Sequence, residues 1–291
     1  MPGPGAENKI ELGKDGFLSN EINSEFECIT YEKLDTIARI SHNRPKARNA
    51  ESQLLLDEMD AAFRRAEADD DIRVIIIAGT GDHFSAGHDL KEAQAKRANF
   101  TVEERWAYES LRYFDYCIRI WDSPKPTIAQ VQGACVAGGF MMANMCDLVV
   151  ASEDAFFSDP VCHTLATASI EVLIHPWVMG LRQAKHMLFT GGRLKAADAL
   201  AIGMVNLVVA RSDLEATTLA EAAKVAAAPP FALRLLKRSL NRTFDVQGMR
   251  SALEAHFEIH QLSHVTEEFA TKRSEGLAGA IRSAKTVSDR S

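Results

Sequence analysis

The sequence is poor in cysteine pairs, long apolar runs and basic excess, and each shortage excludes a class of protein. Its five cysteines are scattered and form no CxxC pair, which argues against a disulfide framework and against a zinc ribbon. No stretch approaches the roughly 18 uninterrupted apolar residues of a membrane span. Lys and Arg number 33 against 40 Asp and Glu, a formal net charge of −7, so a nucleic-acid partner held by phosphate attraction is disfavoured.

The composition that remains is typical of a globular enzyme. Apolar residues make up 46% and charged residues 25% of the 291 positions, the balance of a folded soluble chain. Residues 1–25 lack the basic start and apolar core of a signal peptide, and we predict that they form a flexible tail. The expected location is the cytoplasm, with no membrane partner.

Short strands and helices alternate between about residues 26 and 190, which predicts a layered α/β core. Beyond about residue 191 the pattern is almost wholly helical, so 191–291 is predicted to be a helical region that serves oligomerisation and pocket closure. The predicted core elements are a strand at 30–41, an amphipathic helix at 50–68, a buried strand at 74–78, further strands at 127–132 and 147–152, and a short apolar helix at 140–145.

Three motifs in the sequence resemble functional sites but are incomplete. GTGDHF at 79–84 begins like a dinucleotide fingerprint, but its sixth position is Phe84 rather than the glycine that close helix packing needs. HFSAG resembles a nucleophile elbow around Ser85 but lacks the first glycine. His256, His260 and His264 share a helix face, yet no further ligand pattern supports zinc, and packing or solvent exposure is the favoured interpretation.

Two junctions share one design, in which a strand is followed by small residues and then a helix. SAGHDL follows the strand at 74–78, and GACVAGGF follows the strand at 127–132. Two backbone N–H groups aimed at one point would stabilise an oxyanion, and small residues would let a carbonyl approach closely. From the spacing alone, two ordinary strand–helix turns explain the pattern equally well.

Taken together, five segments resemble the crotonase, or enoyl-CoA hydratase/isomerase, superfamily. They are NRPKARNA (43–50), 72–92, 125–152, AFFSDP (155–160) and 184–209, in the order found in that family. The resemblance implies a spiral of strand–strand–helix units with C-terminal helices, assembled as a homotrimer or hexamer. It also implies an acyl-CoA substrate, as in fatty acid metabolism, with coenzyme A as part of that substrate, no separate cofactor and no metal.

The resemblance further implies the position of the substrate. The thioester oxygen would accept hydrogen bonds from the backbone amides of His88 and Gly138, which would stabilise an enolate. Lys46 looks suited to a phosphate. The other implied substrate and coenzyme A contacts are Ala86, Gly87, Asp89, Leu90, Lys91, Gly139, Met141 and Val161.

The same alignment contains a departure from the family pattern. The two positions where hydratases carry glutamate are Met141 and Val161 here, and neither side chain can transfer a proton. A lyase or isomerase with atypical catalytic residues, acting in a non-standard reaction, is therefore expected. A silent acyl-CoA binding protein and a thioester or ring-opening hydrolase are the alternatives. The candidate acids or bases are Asp159, His163, Glu171 and His175, each of which could instead have a capping or structural role.

Overall fold

The computed structural model describes residues 25–276, which form a mixed α/β core followed by helices. A six-stranded sheet has the order β1-β2-β3-β4-β6-β9, in which β1 and β2 are antiparallel and every later neighbour is parallel. Within this part of the chain, no helix is long and apolar enough to cross a membrane. The strands are β1 Ile29–Leu34, β2 Ile37–His42, β3 Val74–Gly79, β4 Thr127–Val131, β6 Leu148–Ser152 and β9 Leu207–Val209.

A second sheet lies beside the first and has the order β5-β7-β8. Its strands are β5 Ala134–Val136, β7 Phe156–Ser158 and β8 Arg193–Lys195. The chain alternates between the two sheets. Strand β4 belongs to the large sheet and β5 to the small one, and β6 and β7 repeat this alternation. A helix follows each pair, so the predicted spiral of strand–strand–helix units is confirmed.

Thirteen α-helices are present in the described residues. The longer C-terminal ones, α10 to α12, form most of the helical region. The helices are α1 Gln53–Ala68, α2 Leu90–Lys96, α3 Val102–Glu109, α4 Asp115–Asp122, α5 Gly138–Asn144, α6 Val161–Leu165, α7 His175–Met179, α8 Leu181–Thr190, α9 Ala196–Ala201, α10 Leu214–Ala226, α11 Pro230–Val246, α12 Met249–Ser263 and α13 Glu267–Ser274.

Helix α1 illustrates how local sequence fixes an element. Ser52 caps it, because its side chain accepts a hydrogen bond from the Leu55 amide, and this satisfies a donor that has no partner within the helix. The buried face, including Leu55, Met59 and Phe63, recurs at the helical period. The cap fixes the start of α1 at Gln53, two residues after Glu51, and burial of the apolar stripe holds the helix against the sheet.

Two features differ from the sequence prediction. Residues 30–41 form a hairpin rather than one strand, because Asp35 adopts a left-handed turn (φ 55°) between β1 and β2. The region beyond residue 191 is not wholly helical either, since β8 pairs with β7 and β9 pairs with β6. Strands of three residues are too short to show a periodicity in sequence. The predicted tail, residues 1–25, lies outside the described residues except for Glu25.

Candidate active site

The two glycine-containing loops lie side by side in register. Ser85 and Cys135 form a parallel bridge, in which the Val136 amide donates to the Ser85 carbonyl at 3.0 Å. His88 and Gly138 each lie three residues further on. Gly87 lies between the loops at φ 80°, where a Cβ would come within 2.7 Å of the Val136 carbonyl oxygen and 3.2 Å of the Gly138 nitrogen. Only glycine fits there.

The local backbone orients the amide of His88 and strains the residue before Gly138. Glu51 and His88 form a parallel bridge, in which the Glu51 backbone N–H donates to the Gly87 carbonyl and the Glu51 carbonyl accepts from the Asp89 amide. The His88 N–H therefore faces away from the Glu51 backbone. Ala137, with φ at 49°, adopts a backbone conformation that is costly for a residue with a Cβ. That strain occurs at the residue preceding Gly138, where the loop turns into α5.

A cavity of about 970 Å³ opens beside these loops. Six of the sequence-predicted substrate contacts line it: Lys46, Ala86, Asp89, Leu90, Lys91 and Val161. Its lining also includes the basic side chains Arg44, Lys46, Arg48, Lys91 and Arg193.

Three predicted substrate contacts do not line the cavity. Gly87 and Gly139 are packed against neighbouring backbone and side chain, since a Cβ on Gly139 would lie 2.7 Å from the Ser85 Cβ. Met141 is 1% exposed and belongs to the hydrophobic core. Its side chain faces the core of the protein, and the predicted contact between Met141 and the substrate stays a prediction.

The His88 side chain is held between two carboxylates. Its Nε2 lies 2.7 Å from Glu171 Oε1, and its Nδ1 lies 3.8 Å from Glu51 Oε2. Tyr113 stacks on the imidazole at a centroid distance of 4.0 Å. Tyr113 belongs to a π-helical turn at 110–114, a feature that often marks functional sites.

This arrangement sets the charge on each group. Burial by itself lowers the pKa of His88, but Glu171 and Glu51 outweigh it and raise that pKa to about 9. Burial raises the pKa of Glu171, but the His88 cation and then His260 outweigh it and lower that pKa. Burial raises the pKa of Glu51 to about 7, against the opposing effects of His88 and Ser85. An imidazolium paired with a Glu171 carboxylate therefore predominates at neutral pH.

Glu171 presents one oxygen without a partner. Oε1 is occupied by His88, whereas Oε2 is buried and has no hydrogen-bond partner among the described residues. The side chain lines the cavity. A buried carboxylate oxygen that is ionised and unsatisfied is costly, and this makes it suited to accept a proton or a hydrogen bond from a bound molecule.

The other three candidate acids or bases do not reach the cavity. Asp159 accepts from the Ser169 hydroxyl at 2.6 Å and from the Val161 amide at 3.2 Å, so it anchors the loop that carries Glu171. His163 is exposed and bonds to the Phe189 carbonyl. His175 is fully buried against Phe140, and burial lowers its pKa to about 3. Of the four candidates, Glu171 alone lines the cavity.

Ser85 does not have the environment of a nucleophile. Its side chain is 0% exposed, and its hydroxyl lies 3.0 Å from the Asn49 carbonyl oxygen and 3.0 Å from Glu51 Oε1 while accepting from the Gly87 amide. The hydroxyl therefore braces the loop that bears His88. A covalent step through Ser85 is not supported.

A second carboxylate–imidazole cluster lines the same cavity. Glu109, His260 and His264 place their ligating atoms within 4.8 Å of one another, which is a possible metal-binding set. The Glu109 carboxylate is already engaged, however, by Arg105 at 3.2 Å, by Gln261 at 2.7 Å and by His260 at 3.3 Å. Because both oxygens of Glu109 already have partners, the cluster forms an ion-pair network.

Sequence reasoning did not assign Glu51, Glu109 or Tyr113 to the site. Glu51 precedes α1, Glu109 ends α3 and Tyr113 belongs to the π-helical turn. None of them occurs in a motif with a fixed spacing to the glycine loops. The one available signal was acidic residues near helix ends, which usually indicates exposed caps.

The two-sheet spiral and the paired glycine loops define a crotonase-type fold, and comparison with known proteins gives the family. The enoyl-CoA hydratase/isomerase family model matches residues 32–280. The chain belongs to that family, within the crotonase superfamily.

Two related proteins and one solved structure illustrate the similarity. A Mycobacterium tuberculosis protein named "Putative enoyl-CoA hydratase EchA13" is 42% identical over 259 residues, 82% of this chain and 81% of the relative. 4-Chlorobenzoyl coenzyme A dehalogenase-1 of an Arthrobacter species is 31% identical over 81% of this chain and 84% of its own. An enoyl-CoA hydratase/isomerase structure from Xanthobacter autotrophicus Py2 matches with a TM-score of 0.83 and 38% identity, covering 90% of this chain and 98% of that one.

Proposed function

We propose that the protein is an acyl-CoA-processing enzyme that forms a thioester enolate. The amides of His88 and Gly138 would hold the thioester oxygen, and Glu171 Oε2 would remove a proton from the carbon next to the carbonyl. The C–H bond breaks, the proton moves to Glu171, and the electron pair moves onto the thioester oxygen. Membership of the family and the relatives named as coenzyme A enzymes support this substrate class.

One observation carries the proposal: Glu171, which keeps one carboxylate oxygen without a hydrogen-bond partner, and the His88 loop line the same cavity. An oxyanion hole works when donors are fixed before charge develops, and each such donor typically contributes about 10²–10³ in rate. The base must lie within reach of the proton that it removes. Glu171 is bonded to the side chain of His88, the residue whose amide would act on the oxygen, so base and hole are held together.

The rim of the cavity supports a coenzyme A ligand. Lys46, Arg48 and Arg193 are exposed side chains that line it. Phosphate groups favour such basic surroundings. The thioester would then lie between the basic rim and the buried carboxylates.

The proposed reaction is not ordinary hydration. Addition of water to an enoyl thioester needs a group that activates the water as well as one that protonates carbon, and Met141 and Val161 supply neither. With crotonyl-CoA, the loss of enoyl absorbance is expected to be slow for this protein. Turnover comparable to that of an ordinary hydratase, measured alongside as a reference, would contradict this part of the proposal.

Exchange of α-protons for deuterium tests the enolate directly. The protein is incubated in D₂O with acetyl-CoA or butyryl-CoA, whose α-carbons carry acidic hydrogens, and mass spectrometry follows deuterium at the acyl group. Glu171→Gln is expected to lower exchange by about 10²–10⁴ while leaving thioester affinity unchanged. His163→Gln, which alters an exposed imidazole outside the cavity, is the matched control.

The binding-protein alternative makes a different prediction in the same assay. It requires wild-type exchange at the level of the buffer alone with each thioester, together with retained affinity. A hydrolase would release free thiol, which a thiol reagent detects.

A further inference from the structure

The buried acids and imidazoles of the cavity form one alternating chain rather than two separate clusters. His88 is 2.7 Å from Glu171, and Glu171 Oε1 is 3.9 Å from His260 Nε2. His260 in turn lies 3.3 Å from Glu109 Oε2. The complete chain, from the α1 side to α3, is Glu51, His88, Glu171, His260, Glu109 and Arg105.

The His260 end of this chain comes from the C-terminal helical region. Its Nδ1 donates to the Ser169 carbonyl at 2.9 Å, which fixes the ring and leaves Nε2 toward the carboxylates. The neighbouring His256 donates to the Ile170 carbonyl at 2.9 Å. Through these two hydrogen bonds, helix α12 holds Ser169 and Ile170, the two residues immediately before Glu171.

Glu109 is the buried acid that follows His260 in this chain. It is 6% exposed and is held by Arg105 and by Gln261. Next to it, His260 is also buried, and an uncompensated charge at either position would be strongly unfavourable. The Glu109 carboxylate therefore favours the charged form of His260, whose Nε2 also lies 3.9 Å from Glu171 Oε1.

We propose that His260 and Glu109 are positioning residues for Glu171: His260 supplies the second positive neighbour that keeps the Glu171 carboxylate ionised, and Glu109 keeps His260 charged. This inference rests on the proposed function of Glu171 as the base. It places α12 and α3 in the catalytic apparatus, although neither contributes a group that touches the reacting atoms.

All charged and titratable neighbours bear on this assignment. Burial lowers the pKa of His260, but Glu109 and Glu171 outweigh it and raise that pKa. The groups that interact with Glu171 come from several elements. The loops after β3 and β7 and the segment before α1 supply some of them. The others lie on α3, on the π-helical turn, on α4 and on α12 with its C-terminal end. Together these groups are His88, Glu51, Glu109, Tyr113, Cys117, Asp159, His256, His260 and His264.

A double-mutant cycle with His260→Gln, Glu109→Gln and the double variant tests the proposal. The measured quantity is the pH at which α-proton exchange falls to half on the acidic side. His260→Gln is expected to raise that pH by about one unit or more, because Glu171 loses a cation and still faces the Glu109 anion. In the double variant the pH should return toward the wild-type value, since the anion is gone as well.

A merely structural role predicts another pattern. It would lower the rate without moving the pH profile, and the double variant would be at least as impaired as His260→Gln. Either result overturns the proposal. Glutamine retains hydrogen-bonding capacity and similar bulk, so the double variant tests charge rather than volume.

A second readout does not depend on activity. NMR of ¹⁵N-histidine-labelled full-length protein reports the titration of each imidazole, and His260 is assigned from its absence in His260→Gln. It should titrate above the usual 6.5 in the wild type and at lower pH in Glu109→Gln. If wild-type protein shows no α-proton exchange, the proposed function fails, whereas an unshifted His260 overturns the positioning role independently.

Metal analysis provides the remaining outcome. Zn²⁺ is added to the purified protein, and binding is followed by calorimetry for the wild type and for His264→Gln. Stoichiometric binding that His264→Gln abolishes would make the Glu109 cluster a metal site and overturn the ion-pair assignment. Absence of such binding agrees with the proposal.

Discussion

Replacement of His88 by glutamine offers the sharpest test of the electrostatics at the site. The variant keeps the backbone amide that would contact the thioester, but it removes the cation between Glu51 and Glu171. Both carboxylates are fully buried, so each loses its principal counter-charge. We expect His88→Gln to destabilise the protein in a strongly pH-dependent way.

The magnitude follows from the pKa of His88. It rises from 6.5 to about 9, and this difference corresponds to about 3 kcal/mol of folding free energy. Because the folded-state pKa is raised, the contribution is complete below about pH 6.5 and is lost as the pH rises through about 9. The free energy of unfolding of the wild type should therefore exceed that of the variant by about 3 kcal/mol near pH 6. Near pH 9.5 the two free energies of unfolding should differ little.

Urea unfolding of both proteins across this pH range measures the difference. His163→Gln is the control, because that imidazole is exposed and bonds only to a backbone carbonyl. A His88→Gln variant as stable as wild type near pH 6 would refute the reasoning. So would a loss that is constant with pH, because it would reflect packing against Tyr113 rather than charge.

Three further outcomes are expected. Gly138→Ala should lower α-proton exchange by about 10²–10³, because a Cβ there would overlap Glu51 Oε2. Ala143→Gly in the same helix is the control variant. If both variants lower the exchange equally, the assignment of Gly138 is contradicted. Asp159→Asn should cost about 1–3 kcal/mol of stability in urea unfolding by weakening its bonds to the Glu171 loop, and an unchanged stability would show that those bonds do not anchor it. Lys46→Ala should weaken coenzyme A binding in calorimetry, with a smaller difference at high salt, whereas a salt-independent effect would place Lys46 away from the phosphates.

The oligomeric state stays a prediction. A homotrimer or hexamer is implied by the family resemblance, and the exposed apolar residues of α11, such as Phe231, Leu236 and Leu240, are compatible with a subunit contact. Light scattering would give the mass. A monomer would contradict the prediction.

Local sequence predicted the frame of the candidate site well. Small residues at 86–87 and 137–139 indicated two close backbone approaches, and the structure shows that Gly87 and Gly138 have no room for a side chain. Such constraints are local, since each depends on the backbone conformation of a few consecutive residues. The short strands β8 and β9 were missed, because their existence depends on partners distant in the chain.

The sequence by itself determined the amphipathic helix α1, the core strands β3, β4 and β6, the glycine loops and the absence of glutamate at the two usual hydratase positions. Only the tertiary structure decided which acids face the cavity. Asp159 and Glu171 looked alike as candidates, yet one is consumed by loop hydrogen bonds and the other keeps a free oxygen. Glu109 and His260 are 151 positions apart and meet only when α12 packs over α3, because side-chain electrostatics depend on distance in space.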